Sequence, residues 1–460
     1  MEMPAVTAGV CNISMLIDEQ ESWLGTMKLP LATIAVFLIG YPLWASTEIP
    51  GDVQKQPVVI VGATIHPVSA PSIEKGMIVF DDGRIVQVGA KVDVPEGAKT
   101  IDATGKHVYP GLINTDGILG LIEVNSVRAT DDTGEVGELN MNARAEVAIN
   151  PDSELIPVTR SGGVLMSLTA PRRGLITGTS ALLQLDGWTT EDMTLHAPAG
   201  MHIRWPSLRE ADHHDEEKEA ADRAKQREER LRKLEDAFVR AAAYQQARAG
   251  DVDQPVDLRW EAMLPVLRGE VPIIVAAERA SQIQSAVAFA SRHKLKLIID
   301  GGSDAAECAA LLKSQQVPVI VSGVYRNPLR RHQAYDDAFT LPARLRNAGV
   351  KFCISGRTRF DAANIRNLPY HAAMAIAFGL SKQDALSAIT LWPAEMLGVA
   401  NDVGSLDAGK MATLIIADGE IFDTATNVTH AWVQGRQVDL SDRQKRLNRK
   451  YLERQRQTSP

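Results

Sequence analysis

Several charged or hydroxylic side chains stand directly behind short apolar runs, where a chain leaves a strand. Asp116 and Glu123 follow the run ending at Ile113, with Arg128, Asp131 and Asp132 next along. Glu278 follows residues 271–275, Asp300 and Ser303 follow 296–299, and Arg357 follows 350–355. Two carboxylates such as Asp116 and Glu278 support acid–base chemistry without a metal, provided that one has a raised pKa. Acidic and basic groups facing each other orient a small zwitterionic or amide ligand; alternatively they close on one another as salt bridges that fill a cleft. Residues 169–180, rich in Gly, Thr and Ser, read as a loop whose backbone N–H groups could meet an anion. They lack the spacing and the lysine of a phosphate-binding loop. His196, His202, His293, His332 and His371 are scattered and read as packing or surface residues, and the adjacent His213 and His214 cannot share a helix face.

The elements that must position these groups alternate between strand and helix. Residues 163–168, 271–275, 296–300, 317–321 and 350–355 are short, continuous apolar runs separated by helical stretches. Such runs belong to a parallel sheet covered on both faces, and the span fits a (β/α)8 TIM-type barrel. Flanking it, residues 58–66 read as a strand, and 77–80 and 85–89 as a hairpin about Asp81-Asp82-Gly83. A similar β pattern returns at 412–417 and 431–438. The expectation is an α/β chain in which residues 57–108 and 403–440 build a composite β-sandwich and 109–402 form the barrel. A charged helical insertion at 209–248 carries the stripe Leu231, Leu234, Phe238 and Ala241, and reads as a solvated surface helix. Residues 441–460 read as a basic helix or tail capped by Ser441.

The chain of 460 residues carries a net charge of −8, which gives no support to nucleic-acid binding. Its three cysteines, Cys11, Cys308 and Cys353, show no paired spacing. Near the start, Lys28, an apolar run over 29–44 and the small residues Ala45 and Ser46 have the layout of a secretory signal peptide at 27–46. The acidic stretch before it, 1–26, reads as a spurious extension with translation beginning at Met27. Export to the periplasm follows as the expectation.

Three segments together resemble the amidohydrolase superfamily: 102–113, leading into a first barrel strand; 367–374 through 394–398, late helices; and Gly404-Ser-Leu-Asp-Ala-Gly-Lys410 with 412–418, a return to the β-rich part. The imidazolonepropionase-like subgroup is the nearest in character. The resemblance, over residues 57–440, implies a zinc-dependent hydrolase of non-peptide C–N bonds. Its ligands would be a His-x-His on strand one, a carboxylated lysine on strand four, histidines on strands five and six and an aspartate on strand eight.

Each of these positions carries something else. Asp116 and Ile118 stand for the His-x-His, Ala276 and Ala277 for the strand-five histidine, Gly301 and Gly302 for the strand-six histidine, and Gly356 and Arg357 for the aspartate. No lysine occurs between Lys106 and Lys218 or between Lys233 and Lys294. A catalytic zinc needs at least three donor side chains, so no metal site and no cofactor are expected. Asp116 and Glu278 remain as catalytic candidates, with Glu123, Arg128, Asp300, Ser303 and Arg357 expected to line the pocket. Two functions stay open. One is an impaired or altered hydrolase; the other is a non-catalytic subunit that binds a small amide or amino-acid-like ligand, self-associates, or pairs with an intact homologue.

Overall fold

The computed structural model describes residues 48–206, 216–250, 255–358 and 361–458. The 1–26 extension, the 27–46 signal segment and the His213-His214 pair lie outside them. Among the described residues no helix is long and apolar enough to cross a membrane.

A first sheet takes strands from both ends of the body: β1 (Val58–Ile65), β2 (Ile73–Asp81), β3 (Arg84–Gly89), β4 (Lys99–Asp102) and β5 (His107–Pro110), with β14 (Leu414–Ala417), β15 (Val428–Val433) and β16 (Arg436–Gln437). Its order is β16-β15-β14-β5-β1-β2-β3, with β4 paired beside β1. The antiparallel pairing of β5 with β14 joins the two ends of the chain in one ladder. Where two stacked sheets were expected, a single hydrogen-bonded path curls. The start of β3 meets the approach to β14, with Ile85 N donating to Lys410 O and Ala412 N to Gly83 O, both at 2.8 Å. Ile60, Ile78, Ile85, Leu414 and Ile416 are sealed inside the curl, and Phe80 meets Trp432 edge-on at 5.7 Å.

The second sheet is the barrel: β6 (Leu112–Gly117), β7 (Val164–Thr169), β8 (Ile176–Gln184), β9 (Thr194–Arg204), β10 (Ile273–Ala277), β11 (Leu297–Gly301), β12 (Val319–Ser322) and β13 (Phe352–Ser355), paired in chain order. Side chains alternate between its two faces, as the two-residue repeat of a strand requires. Ile113, Leu168, Leu182, Ile274, Ile298, Ile320 and Cys353 fill the interior. Ile273, Val275, Ile299, Val319, Val321 and Ile354 face the outer layer. The architecture is an α/β barrel of the TIM type with one departure: β8 runs antiparallel to both β7 and β9. No helix separates β7 from β8, so the return strand goes straight back along the sheet. Between β13 and β6 the ring is closed by the 388–389 segment, because Ile354 N donates to Ala388 O at 3.0 Å and Ile113 N to Ile389 O at 2.9 Å.

The charged insertion forms helix α1 (Glu216–Ala249). Its apolar stripe is buried at Leu234, Phe238 and Ala241. Phe238 packs edge-on against Phe289 of α2 (Ala280–His293), with ring centroids 5.1 Å apart. Glu235 on the charged side bonds His293 at 2.9 Å and Arg292 at 3.0 Å.

Candidate site at the barrel mouth

The parallel strands point their C-terminal ends to one side, and the polar cluster sits there. Asp116 near the end of β6 is 1% exposed, and both of its carboxylate oxygens are engaged. Oδ1 accepts a short bond from Arg172 Nη2. Oδ2 accepts from Arg357 Nη1 at 2.8 Å and from Ser322 Oγ at 3.3 Å. Asp300 on β11 lies beside it: Oδ1 accepts from Ser322 Oγ at 2.7 Å and Oδ2 from Arg357 Nη1 at 3.3 Å. Three strands and two loops thus converge on two carboxylates and two guanidiniums.

These contacts divide the protons unequally. Burial pushes Asp116 up, but the charges and hydrogen bonds of Arg172 and Arg357 outweigh it and hold the carboxyl well below the usual range. Asp300 is pushed up to about 7, by burial first and then by the Asp116 charge, with Arg357 and Arg172 only partly offsetting. His202 on β9, buried and facing the same charges, is lowered to about 3 by burial and by the nearby guanidiniums. It is a neutral imidazole at neutral pH, and its Nε2 has no hydrogen-bond partner among the described residues.

A second layer holds the cluster in place. Asn114 on β6 is fully buried and satisfied, with Nδ2 donating to Asp116 O at 3.0 Å and Ser167 Oγ at 3.2 Å. Its Oδ1 accepts from Gly356 N at 2.9 Å. One amide therefore ties β6 to β7 and to the start of the loop that carries Arg357. Beneath it, Cys353 Sγ meets Thr115 Oγ1 at 3.3 Å; burial pushes this thiol up to about 12 and leaves it unreactive.

Of the residues read from the sequence, Asp116, Asp300 and Arg357 come together. Glu278 does not join them. It is exposed, and its Oε2 accepts from Ser303 N at 3.2 Å, so the suggested Asp116–Glu278 pair becomes two separate contacts. Ser303 is buried as that partner. Glu123 accepts from Asn150 Nδ2 at 3.3 Å and Arg128 is exposed on a short 3-10 turn, both away from the cluster. His371 is a packing residue, edge-on to Tyr325 at 4.8 Å.

Three members were missed, Ser322 at the end of β12 among them. Arg172 lies in the stretch read as an anion-binding backbone loop, yet it stands just past the end of β7, the same placement that singled out Arg357. His202 was read as flanking a loop at 197–200, which is instead the middle of β9.

The zinc implied by the fold family does not fit these residues. A cation at Asp116 would have to displace the Arg172 and Arg357 guanidiniums that occupy its two oxygens. Among the described residues, no three His, Cys, Asp or Glu side chains converge as a metal set.

An eight-stranded α/β barrel, a curled sheet from both chain ends and a polar cluster at the strand C-termini together define a TIM-type barrel with its candidate site at the mouth. Residues 279–438 match the model of the amidohydrolase family. It is 23% identical over 409 residues to the amidohydrolase tasK of Hapsidospora irregularis, covering 78% of this chain but only 39% of that protein's length. It is 25% identical over 390 residues to the imidazolonepropionase of Mesorhizobium japonicum, covering 76% and 87% of the two. Among solved structures, an amidohydrolase from Thermotoga maritima superposes with a TM-score of 0.73 at 23% identity, over 83% of this chain and 99% of that one.

Proposed function

We propose that this chain is a non-hydrolytic amidohydrolase-fold protein that binds a small amide or amino-acid-like ligand at the barrel mouth. In this reading Arg172 and Arg357 supply the positive charge that a zinc ion supplies in a working hydrolase. The observation that carries it is the double occupation of Asp116: each oxygen faces a guanidinium, so neither is open to a metal or to a proton from water. A guanidinium neutralises a carboxylate but offers no site on which bound water becomes hydroxide. The unpartnered Nε2 of neutral His202 gives the ligand a hydrogen-bonding contact.

A second reading keeps C–N bond hydrolysis, the activity the family suggests. It is favoured by Asp300, whose proton is balanced near neutrality as a general acid or base requires. Export to the periplasm, resting on the 27–46 segment, is common to both readings; pairing with an intact homologue belongs to the first.

A panel of N-acyl amino acids, hydantoins and imidazolones separates the two. The binding reading expects at least one compound to raise the melting temperature with no product formed. Turnover abolished by a chelator and restored by zinc would overturn it. Turnover that survives chelation and vanishes in Asp300→Asn would establish the second reading.

A further inference from the structure

The last helix, α3 (Arg443–Thr458), has no buried residue. Seven cations and the single acid Glu453 lie along it, within a chain whose overall charge is −8. At 100° per residue, every charged side chain falls on one half of the helix. The other half holds Leu447, Tyr451 and Leu452 with Gln444, Asn448 and Gln455 between them. The three apolar residues are 42%, 56% and 55% exposed. Four of the cations, Arg443, Arg449, Lys450 and Arg454, make no ion pair among the described residues; Arg446, Lys445 and Arg456 make theirs.

An uncharged face with apolar anchors, bordered by long cationic side chains, is the pattern of a helix that lies in a membrane interface. The anchors enter the acyl boundary while the cations reach the headgroups. The base of α3 is held to the body, since Arg446 pairs with Glu48 at 3.2 Å and Glu154 at 2.8 Å, and Glu48 also pairs with Arg160 at 3.0 Å. Arg449, Lys450 and Arg454, further along, are left to meet an anionic surface.

We propose that α3 docks the protein on a bilayer surface rich in anionic phospholipid, with Leu447, Tyr451 and Leu452 inserted and Arg449, Lys450 and Arg454 at the headgroups. This does not depend on what the barrel mouth binds.

The test is co-sedimentation of the full chain with phosphatidylglycerol-containing vesicles and, separately, with phosphatidylcholine vesicles. Any contribution of the 29–44 run is common to both. The triple variant Arg449→Gln, Lys450→Gln, Arg454→Gln leaves the Arg446 anchor intact and removes exposed side chains only. At roughly fivefold per cation, it should weaken partition onto the anionic vesicles on the order of 100-fold while leaving the neutral ones unchanged. Added salt should weaken the wild type in the same sense. The double variant Leu447→Ser, Leu452→Ser should also bind the anionic vesicles more weakly, and an unchanged melting temperature will show that both variants fold. Equal partition of wild type and triple variant onto anionic vesicles would overturn the proposal. So would capture of a duplex oligonucleotide, or self-association through α3, without vesicle binding.

Discussion

Two buried aspartates, at opposite ends of the barrel, each face two arginines, and their protons are held in opposite ways. At the mouth, Asp116 meets Arg172 and Arg357 closely and stays ionised far below the usual range. At the other end, Asp186 follows the antiparallel strand β8 and meets Arg160 at 3.5 Å and Arg436 at 3.4 Å, with Gly51 N donating to it at 3.3 Å. Burial is the largest influence on both and raises both. The longer contacts at Asp186 do not overcome it, and its carboxyl sits above the usual range. Counting arginines therefore does not say what a buried carboxylate is worth; the distance of the charges decides whether attraction exceeds desolvation. The mouth cluster is tightly neutralised, whereas the base cluster is a looser clamp on residues 48–51.

The sharpest way to break this contrast is Asp116→Ala. It removes the carboxylate that both Arg172 and Arg357 face, and removing one partner of a buried pair costs about 3–5 kcal/mol. Chemical denaturation should register that loss, and a loss below about 1 kcal/mol, the scale of an exposed pair, would mean that the cluster is not the tight neutralised unit described.

Next comes pH. Asp300 has a folded-state value of about 7 against an unfolded value of about 3.9, so between these the folded chain holds a proton that the unfolded chain has lost. Its contribution to stability is therefore full below about pH 4, falls as pH rises to about 7, and is flat above. Asp116, held low, acts in the opposite sense, and its contribution disappears only as pH drops below about 4. Asp300→Asn should flatten the wild-type decline between these limits, measured by denaturation at several pH values. A variant with the same slope would refute the assignment.

His202→Leu removes a buried polar atom without a partner and should stabilise the free protein by about 1 kcal/mol, while abolishing the thermal shift from any ligand that bonds Nε2. The smallest effect is expected at the base. Asp186→Asn deletes a charge whose burial is not fully compensated, so it should change stability by less than about 1 kcal/mol. A loss as large as that of Asp116→Ala would erase the contrast between the two ends.

Much of the barrel is legible because β10 to β13 are continuous apolar runs between helices, and each strand-end residue can be placed by counting on from its run. Asp300 and Arg357 are placed in this way, and Asp116 through the resemblance of 102–113 to the lead into a first barrel strand. The family match over 279–438 covers β11 to β13 and the returning β14 to β16, the stretches with the plainest pattern. β8 and β9 are hidden for physical reasons. β8 begins Ile-Thr-Gly-Thr-Ser, with Gly178 at φ 125 in a place where a Cβ would lie 2.5 Å from Ala143 O. β9 contains Pro198 and Gly200, which argue against a strand. With β9 unread, His202 had no frame, whereas Arg172, just past β7, was open to the same count that places Arg357. The link from Glu278 to Ser303 was equally out of reach, since it depends on the path of a loop.

The central claim is that guanidinium groups have taken the role of the metal, and the most direct measurement is elemental analysis of the full chain purified from zinc-supplemented cells, alongside hydrolysis assays before and after chelation. The account predicts well under one zinc per chain and no chelator-sensitive hydrolysis. A full equivalent of tightly held zinc, lost together with hydrolytic activity on chelation, would contradict it.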